Sequence, residues 1–287
     1  MLRARFATVV GVVSLLLVSG RASAQPRPAV KSSPREQAWL FSYTASVTGM
    51  GRPGAGTSVT FDVAVRNGVA RVTAGGGAFA TLSGARGALL VRAGDTLISA
   101  INPDKREVLV LAASQLGTLL GGPVPDGLQF DVSEVSSTIR RGGAGPRIEG
   151  HASRHVTLEQ RYTLTIGMNA MRRVIRTQQQ VEVDVSMSLS RLDRGFDAFI
   201  GQVVSNSGTP ASVLAVLRPL QRTMPSGFPL RSVTTAIVIS GSDTLRTRSE
   251  AAISGLRREV VDTMTFRVPP DFRVTELSRL LQPRRPM

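Results

Sequence analysis

Apolar and polar residues alternate with a period of two along several stretches of this sequence, which is the pattern of a β-strand with one buried face. In the first stretch, serine and threonine positions alternate with Trp39, Phe41, Tyr43, Ala45 and Val47. A second stretch repeats the pattern with Val59, Phe61, Val63 and Val65. Strands that have one apolar and one solvated face are typical of an antiparallel sheet.

Turn signals separate further strand patterns along the chain. Asn67-Gly68 and Gly94-Asp95 are typical of tight hairpin turns. The apolar phase changes near Glu134, which indicates a β-bulge. The predicted strands cover residues 39–47, 59–66, 69–73, 89–92, 96–101, 107–111, 128–139, 156–166, 181–189, 233–239 and 264–268.

Helical spacing interrupts the strands mainly between residues 196 and 220. The predicted helices cover residues 196–204, 211–220 and 275–281, and a fourth is predicted at 114–120. Strands and helices do not alternate, so the pattern disfavours a parallel, doubly wound sheet. We predict a mainly β (α+β) fold, in which a few helices cover a curved antiparallel sheet or half-open β-barrel.

The first 24 residues have the organisation of a secretory signal peptide. Arg3 and Arg5 precede an uncharged apolar run, and Ala22-Ser23-Ala24 supplies the small residues of a cleavage site. The apolar run is shorter than the roughly 20 residues that a membrane-spanning helix needs. We expect cleavage between Ala24 and Gln25 and a periplasmic or secreted protein. The predicted organisation is a signal peptide at 1–24, a flexible lead-in at 25–37, one β-rich domain at 38–281 and a tail at 282–287.

The composition disfavours several classes of site. The chain has no cysteine, so a disulfide framework and a cysteine–zinc site are excluded. The net charge is +15, but the basic residues are scattered, whereas nucleic-acid-binding proteins concentrate them on one face. We therefore expect no nucleic-acid partner, and peripheral contact with an anionic membrane fits the positive charge better.

Motifs for catalysis are weak in this sequence. Gly49-Met50-Gly51-Arg52-Pro53-Gly54 reads G-x-G-x-x-G, but a dinucleotide site needs a helix to follow, and here proline and a strand follow. His151 and His155 are predicted on a strand, where residues four apart lie roughly 13 Å from each other, too far to share a metal. The sequence has no G-x-S-x-G elbow. We expect no enzyme activity, cofactor or metal.

Four short segments together resemble the periplasmic lipoprotein-carrier (LolA-like) superfamily. Residues 39–43 resemble its first long strand, and Ile148-Glu149-Gly150 followed by Tyr162 and Leu164 resembles its "I-x-G … Y-x-L" strand pair. Phe228-Pro229-Leu230 resembles its "G-x-P-L" segment, and residues 266–272 resemble its "F-x-V-P-x-x-F/Y" ending. The resemblance spans about 38–278 and implies a curved half-barrel that holds lipid chains, without catalytic residues.

Three hypotheses for the function follow. The first is an envelope protein that binds a hydrophobic or lipid-like ligand in the curved sheet, with predicted lining residues Trp39, Phe41, Tyr43, Phe61, Phe196 and Phe199. The second is a structural or interaction module with an envelope protein partner, which predicts a filled interior and an exposed patch or edge. The third is a hydrolase, which requires aspartates, or a histidine and a hydroxyl, to meet in a cleft.

Overall fold

A computed structural model describes residues 35–49, 56–74, 82–84, 86–112, 128–168, 171–190, 192, 196 and 227–277 of the chain. Within these residues the chain forms one large, curved, unclosed sheet. Its strands are β1 Arg35–Thr48, β2 Gly56–Arg66, β3 Val69–Ala74, β4 Ala88–Arg92, β5 Leu97–Asn102, β6 Glu107–Ala112, β7 Leu128–Ala144, β8 Arg154–Met168, β9 Met171–Ser186, β10 Phe228–Ser240, β11 Asp243–Asp262 and β12 Arg273–Glu276. The predicted mainly β fold with a half-open barrel is confirmed.

The strand order shows how the two halves of the chain join. The sheet runs β12-β6-β5-β4-β3-β2-β1-β11-β10-β9-β8-β7. Each neighbouring pair is antiparallel except β12 and β6, which run parallel. β1 lies inside the sheet between β2 and β11, and its first residue, Arg35, pairs with Asp262. β1 thus begins ahead of residue 38, where the domain was predicted to start.

Local turn chemistry explains the hairpins. Asn67 and Gly68 have φ values of +46° and +79°, the left-handed conformations that a two-residue hairpin turn requires, and Arg66 pairs with Val69 across them. The predicted bulge in β7 is confirmed between Ser133 and Ser136, where Glu134 has a φ of +53°. Another irregularity shifts the register of β1 against β11 between Leu40 and Ser42.

The two faces of the sheet bury different apolar clusters. We call the face that carries the largest cluster the inner face; it includes Phe41 on β1, Phe61 on β2, Leu89 on β4, Leu111 on β6 and Ile253 on β11. The inner face continues onto β8 and β9, where Leu158, Val181, Val183 and Val185 form a smaller cluster. The opposite side is the outer face.

The segment after β11 covers the outer face of the first half of the sheet. A 3-10 helix at Thr263–Phe266 begins after Asp262, whose carboxylate accepts a hydrogen bond from the Met264 N–H. Phe266 packs on Ala38 and Ala64, and the segment then adds Val268 and Phe272 to a cluster of Leu90, Ile101 and Val108. The strand predicted at 264–268 is therefore wrong, because these residues cross the sheet instead of joining it.

In this part of the chain one strand was missed and one predicted helix needs correction. The 20-residue strand β11 was not predicted, because its inward residues include Thr247, Ser249 and Ala251, which do not form an apolar alternation. The helix predicted at 275–281 is wrong at its start, since Thr275 and Glu276 belong to β12. Both of these residues pair with β6, and Thr275 also donates a hydrogen bond to Glu107.

Other predictions fall on residues that the structure does not describe. The signal peptide at 1–24, the helices at 114–120 and 211–220, the tail at 282–287 and most of the helix at 196–204 lie outside the described residues. Among the residues that are described, none belongs to a helix of the length and apolar character needed to span a membrane.

Candidate functional site

Aromatic side chains from separate parts of the chain converge on the inner face. The ring of Phe41 lies 5.2 Å from that of Phe196 and 5.6 Å from that of Phe228, measured between centroids. Tyr43 meets Phe196 at 5.2 Å and stacks on Phe61 at 6.4 Å. β1, β2 and β10 therefore supply the wall of an aromatic cluster, and Phe196 reaches it from the connection that follows β9.

The connection after β9 places a cover on the inner face. Its described residues Leu189, Leu192 and Phe196 are all buried in the same apolar cluster as Phe41. Leu192 donates its N–H to the Leu189 carbonyl in a turn. Leu277, just after β12, is also buried in this cluster. Residues from the β9–β10 connection and from the segment after β12 thus pack on the inner face of the first half of the sheet.

Trp39 lies at one end of the aromatic cluster and is partly exposed. The guanidinium carbon of Arg258 lies 4.9 Å from the Trp39 ring centroid, a cation–π contact. The ring of His151 meets Trp39 edge to face at 6.2 Å. Trp39 therefore contacts both the apolar cluster and the guanidinium of Arg258.

Five of the six predicted lining residues lie in or against one apolar cluster, and Phe199 lies outside the described residues. The alternation of β1 and β2 placed Trp39, Phe41, Tyr43 and Phe61 on the same face, as predicted. Phe228 was not among the predicted residues, although it is fully buried and its ring contacts those of Phe41 and Phe196. Its position at the start of the Phe228-Pro229-Leu230 segment was the available signal.

Buried polar side chains occupy the inner face of the second half of the sheet. Gln160 on β8 pairs with Gln179 on β9, which pairs with Ala236 on β10, which pairs with Thr247 on β11. The neighbouring inward position on β11 is Ser249. We call Gln160, Gln179, Thr247 and Ser249 the polar row. Sequence reasoning missed it, because polar residues in an alternating strand are expected on the solvated face.

The polar row contains side-chain atoms without hydrogen-bond partners. Gln179 Nε2 donates to Gln160 Oε1, so the two amides hold each other. Within the described residues, Gln160 Nε2, Gln179 Oε1, Thr247 Oγ1 and Ser249 Oγ are buried and have no partner. A buried polar atom without a partner costs about 1–3 kcal/mol. Such a group of unpaired atoms is unusual for residues with no role beyond the fold.

Burial also raises the pKa of both tyrosine side chains on the inner face. Desolvation raises the pKa of Tyr43, which lies in the aromatic cluster. Desolvation raises the pKa of Tyr162 to about 12, and a hydrogen bond with Thr177 opposes that rise. Tyr162 and Thr177 pair across β8 and β9, one row beyond the glutamines. Both phenols are therefore neutral donors under ordinary conditions.

The two histidines make separate contacts on different parts of the sheet. His155 Nδ1 lies 2.9 Å from Asp184 Oδ1 on the outer face, whereas His151 contacts Trp39. The nearby Ser153 hydroxyl donates to the Pro146 carbonyl at 2.6 Å. Among the described residues, no group of three or more histidine or acidic side chains could hold a metal ion.

Comparisons with solved structures give distant similarities at low sequence identity. No family model matches the chain, and no curated protein matches it. The solved structure of PNGF-II is similar at 10% identity with a TM-score of 0.31, over 85% of this chain but only 33% of that one. A LolA superfamily protein from Nitrosomonas europaea is similar at 9% identity with a TM-score of 0.25, over 90% of this chain and 94% of that one. Neither similarity assigns a function at TM-scores this low.

Proposed function

We propose that this chain is an exported cell-envelope protein that binds a hydrophobic or lipid-like ligand on the inner face of its curved sheet, without catalysis. The observation that carries the proposal is the aromatic cluster. Phe41, Tyr43, Phe61 and Phe228 come from three strands, and Phe196, which is not part of the sheet, completes the cluster. Because Phe196 is separate from the sheet, an apolar ligand could replace its ring against the sheet residues of the cluster.

The mechanism would be the reversible burial of apolar ligand surface. Removing apolar surface from water contributes about 25 cal/mol per Å² before the costs of association. A ligand chain that displaces Phe196 would contact the rings of Phe41, Tyr43 and Phe228, which Phe196 contacts in the structure. Because the ring and the chain are both apolar, the exchange costs little desolvation of polar groups.

The exported location is part of the same proposal. The signal-peptide pattern at 1–24, with cleavage between Ala24 and Gln25, supports a periplasmic or secreted protein. The outer face of β9 and β10 supports peripheral contact with an anionic membrane, since exposed Arg172 and Arg176 flank the exposed apolar Val174, and Arg176 pairs with the exposed Ile239. Basic residues near such a surface contribute roughly 1 kcal/mol each.

The test is titration of the purified protein with N-phenyl-1-naphthylamine, a neutral apolar probe whose fluorescence rises when it is buried. We expect saturable binding, and we expect Phe61→Ala on the inner face to weaken it about tenfold, because one aromatic contact surface is lost. Phe266→Ala is the matched control: it also removes a buried ring, but on the outer face. Absence of saturable binding, together with no lipid co-purifying in native mass spectrometry, would refute the proposal and favour the interaction module.

A further inference from the structure

The polar row lies across four adjacent strands of the second half of the sheet. Adjacent strands are about 4.8 Å apart, so the positions of Gln179 and Thr247, which are two strands apart, are separated by roughly 10 Å. Only Ala236 lies between them on the inner face. The methyl side chain of Ala236 is shorter than the Gln179 and Thr247 side chains on either side of it, and all three residues are buried.

The unpaired atoms offer both kinds of hydrogen bond. Gln160 Nε2 is a donor, Gln179 Oε1 is an acceptor, and the hydroxyls of Thr247 and Ser249 can act as either. The four residues are only 1%, 2%, 2% and 3% exposed, in the order Gln160, Gln179, Thr247 and Ser249. Bulk solvent therefore does not satisfy these buried atoms, and a hydrogen-bonding partner would have to enter the inner face.

The surroundings of the polar row are uncharged. The inward positions of β8 to β11 on either side of it are Leu158, Val181 and Thr234 in one direction, and Tyr162, Thr177 and Val238 in the other. Across these described rows, no inward side chain is acidic or basic. A charged ligand group would lose its hydration here without gaining a counter-charge, which costs much free energy. A neutral polar group that forms hydrogen bonds costs much less to bury.

We propose that the polar row binds the neutral, hydrogen-bonding head of an amphiphile, a group such as an amide or a hydroxyl that both donates and accepts. This inference rests on the proposed ligand-binding function and specifies the ligand class. The apolar part of the ligand would lie along the inner face next to the row, over Leu158, Val181 and Val183 and towards the aromatic cluster. An amide head would accept from Gln160 Nε2 and donate to Gln179 Oε1, and so complete both side chains.

The experiment compares three competitors that share one alkyl chain: decanamide, decanol and decanoate. Each competitor is titrated into the purified protein with bound N-phenyl-1-naphthylamine, at a pH where decanoate is ionised, and the displacement of the probe is measured. We expect decanamide and decanol to displace the probe at concentrations about tenfold lower than decanoate, the ratio that one to two hydrogen bonds produce.

The decisive variant is Gln160→Leu combined with Gln179→Leu, which removes both partners of the amide pair at nearly constant volume. We expect this variant to bind the probe as before and to lose the preference for decanamide. The matched control is Gln178→Leu combined with Gln180→Leu, which changes the same residue type at exposed positions of β9. If the glutamine variant fails to fold, Thr247→Val combined with Ser249→Ala tests the same row with smaller changes, and its preference should also fall.

The possible outcomes separate this inference from the proposed function. If the protein binds the probe but shows no preference among the three competitors, or if the double variants keep the preference, the inference is wrong; ordered water then satisfies the row, and the apolar binding function stands. If the protein binds no probe at all, the proposed function fails and this inference fails with it.

Discussion

The ring of Phe196 meets the ring of Phe41 edge to face, with centroids 5.2 Å apart and ring planes inclined at 82°. Phe41 belongs to a strand in the middle of the sheet, whereas Phe196 belongs to the connection between β9 and β10. This contact therefore joins the β9–β10 connection to the sheet through apolar surface.

We expect Phe196→Ala to lower the free energy of unfolding by about 3–5 kcal/mol, because it empties a site in which Phe196 is only 1% exposed. Urea unfolding followed by tryptophan fluorescence measures the change, since Trp39 is the single tryptophan of the chain. Val260→Ala, at a position that is 57% exposed, should change stability by less than about 0.5 kcal/mol. Equal effects of the two substitutions would show that Phe196 does not hold the connection.

Gly49 and Gly94 form a matched pair for backbone strain. Both have a φ of +89°, but a Cβ atom at Gly49 would lie 2.2 Å from the backbone oxygen of Arg246, whereas a Cβ at Gly94 would meet nothing within 4 Å. We expect Gly94→Ala to cost about 1–2 kcal/mol for the left-handed conformation. Gly49→Ala should cost clearly more, because the end of β1 would have to move away from β11. Thermal unfolding of the two variants measures the difference, and equal melting temperatures would contradict it.

Glu107 links β12 to β6. Hydrogen bonds from Arg273 and Thr275, followed by the charges of Arg273 and Lys105, lower the pKa of its carboxyl group. A carboxyl whose pKa is lower in the folded state stabilises the fold above its unfolded pKa, and that stabilisation is lost as the pH falls through the folded pKa.

We therefore expect the difference in unfolding free energy between the wild type and Glu107→Gln to shrink as the pH falls from about 7 to about 3. Urea unfolding in a series of buffers measures this difference. Asp131→Asn, an exposed substitution on β7 at the opposite edge of the sheet, is the control for general effects of removing a negative charge. A difference for Glu107→Gln that stays constant with pH would contradict the role of its carboxylate.

The two tyrosines give a spectroscopic test of burial. Tyr43 and Tyr162 are the only tyrosines in the chain, and burial raises the pKa of each, that of Tyr162 to about 12. Phenolate absorbance of the folded protein should therefore not rise near pH 10, the ordinary range for tyrosine. In guanidinium chloride, which unfolds the protein, phenolate absorbance should rise near pH 10.

The raised pKa also affects stability. A group with a raised folded pKa stabilises the fold below its unfolded pKa and loses that contribution as the pH increases, so alkaline unfolding should accompany phenolate formation. A native titration midpoint near 10 would show that the tyrosines are exposed.

Much of the fold follows from local patterns in the sequence. Alternation placed Phe41 and Phe61 on one face, and the Asn67-Gly68 dipeptide fixed the β2–β3 hairpin through its left-handed conformations. The phase change at Glu134 predicted the bulge in β7. In each case, the chain itself contains the physical cause within a few residues.

The parts that could not be predicted depend on distant partners. Several inward residues of β9 and β11, including Thr177, Gln179 and Thr247, are polar, so the alternation pattern does not mark them as buried. Their side chains are buried on the inner face of the folded sheet, where β11 also pairs with β1, a strand far away in sequence. For the same reason, the aromatic residues of the candidate site were found from alternation, whereas the polar row became visible only in the folded sheet.

The position of β1 between β2 and β11 has a consequence for the order of folding. β2 follows β1 directly, so one side of β1 can pair early through local contacts. Its other side pairs with residues 248 to 262, so it must wait until nearly the whole chain has been made. Contacts of such long sequence separation slow folding, and an unpaired strand edge invites association with other chains. We therefore expect slow completion of the sheet and a protein that needs protection from aggregation until β11 arrives.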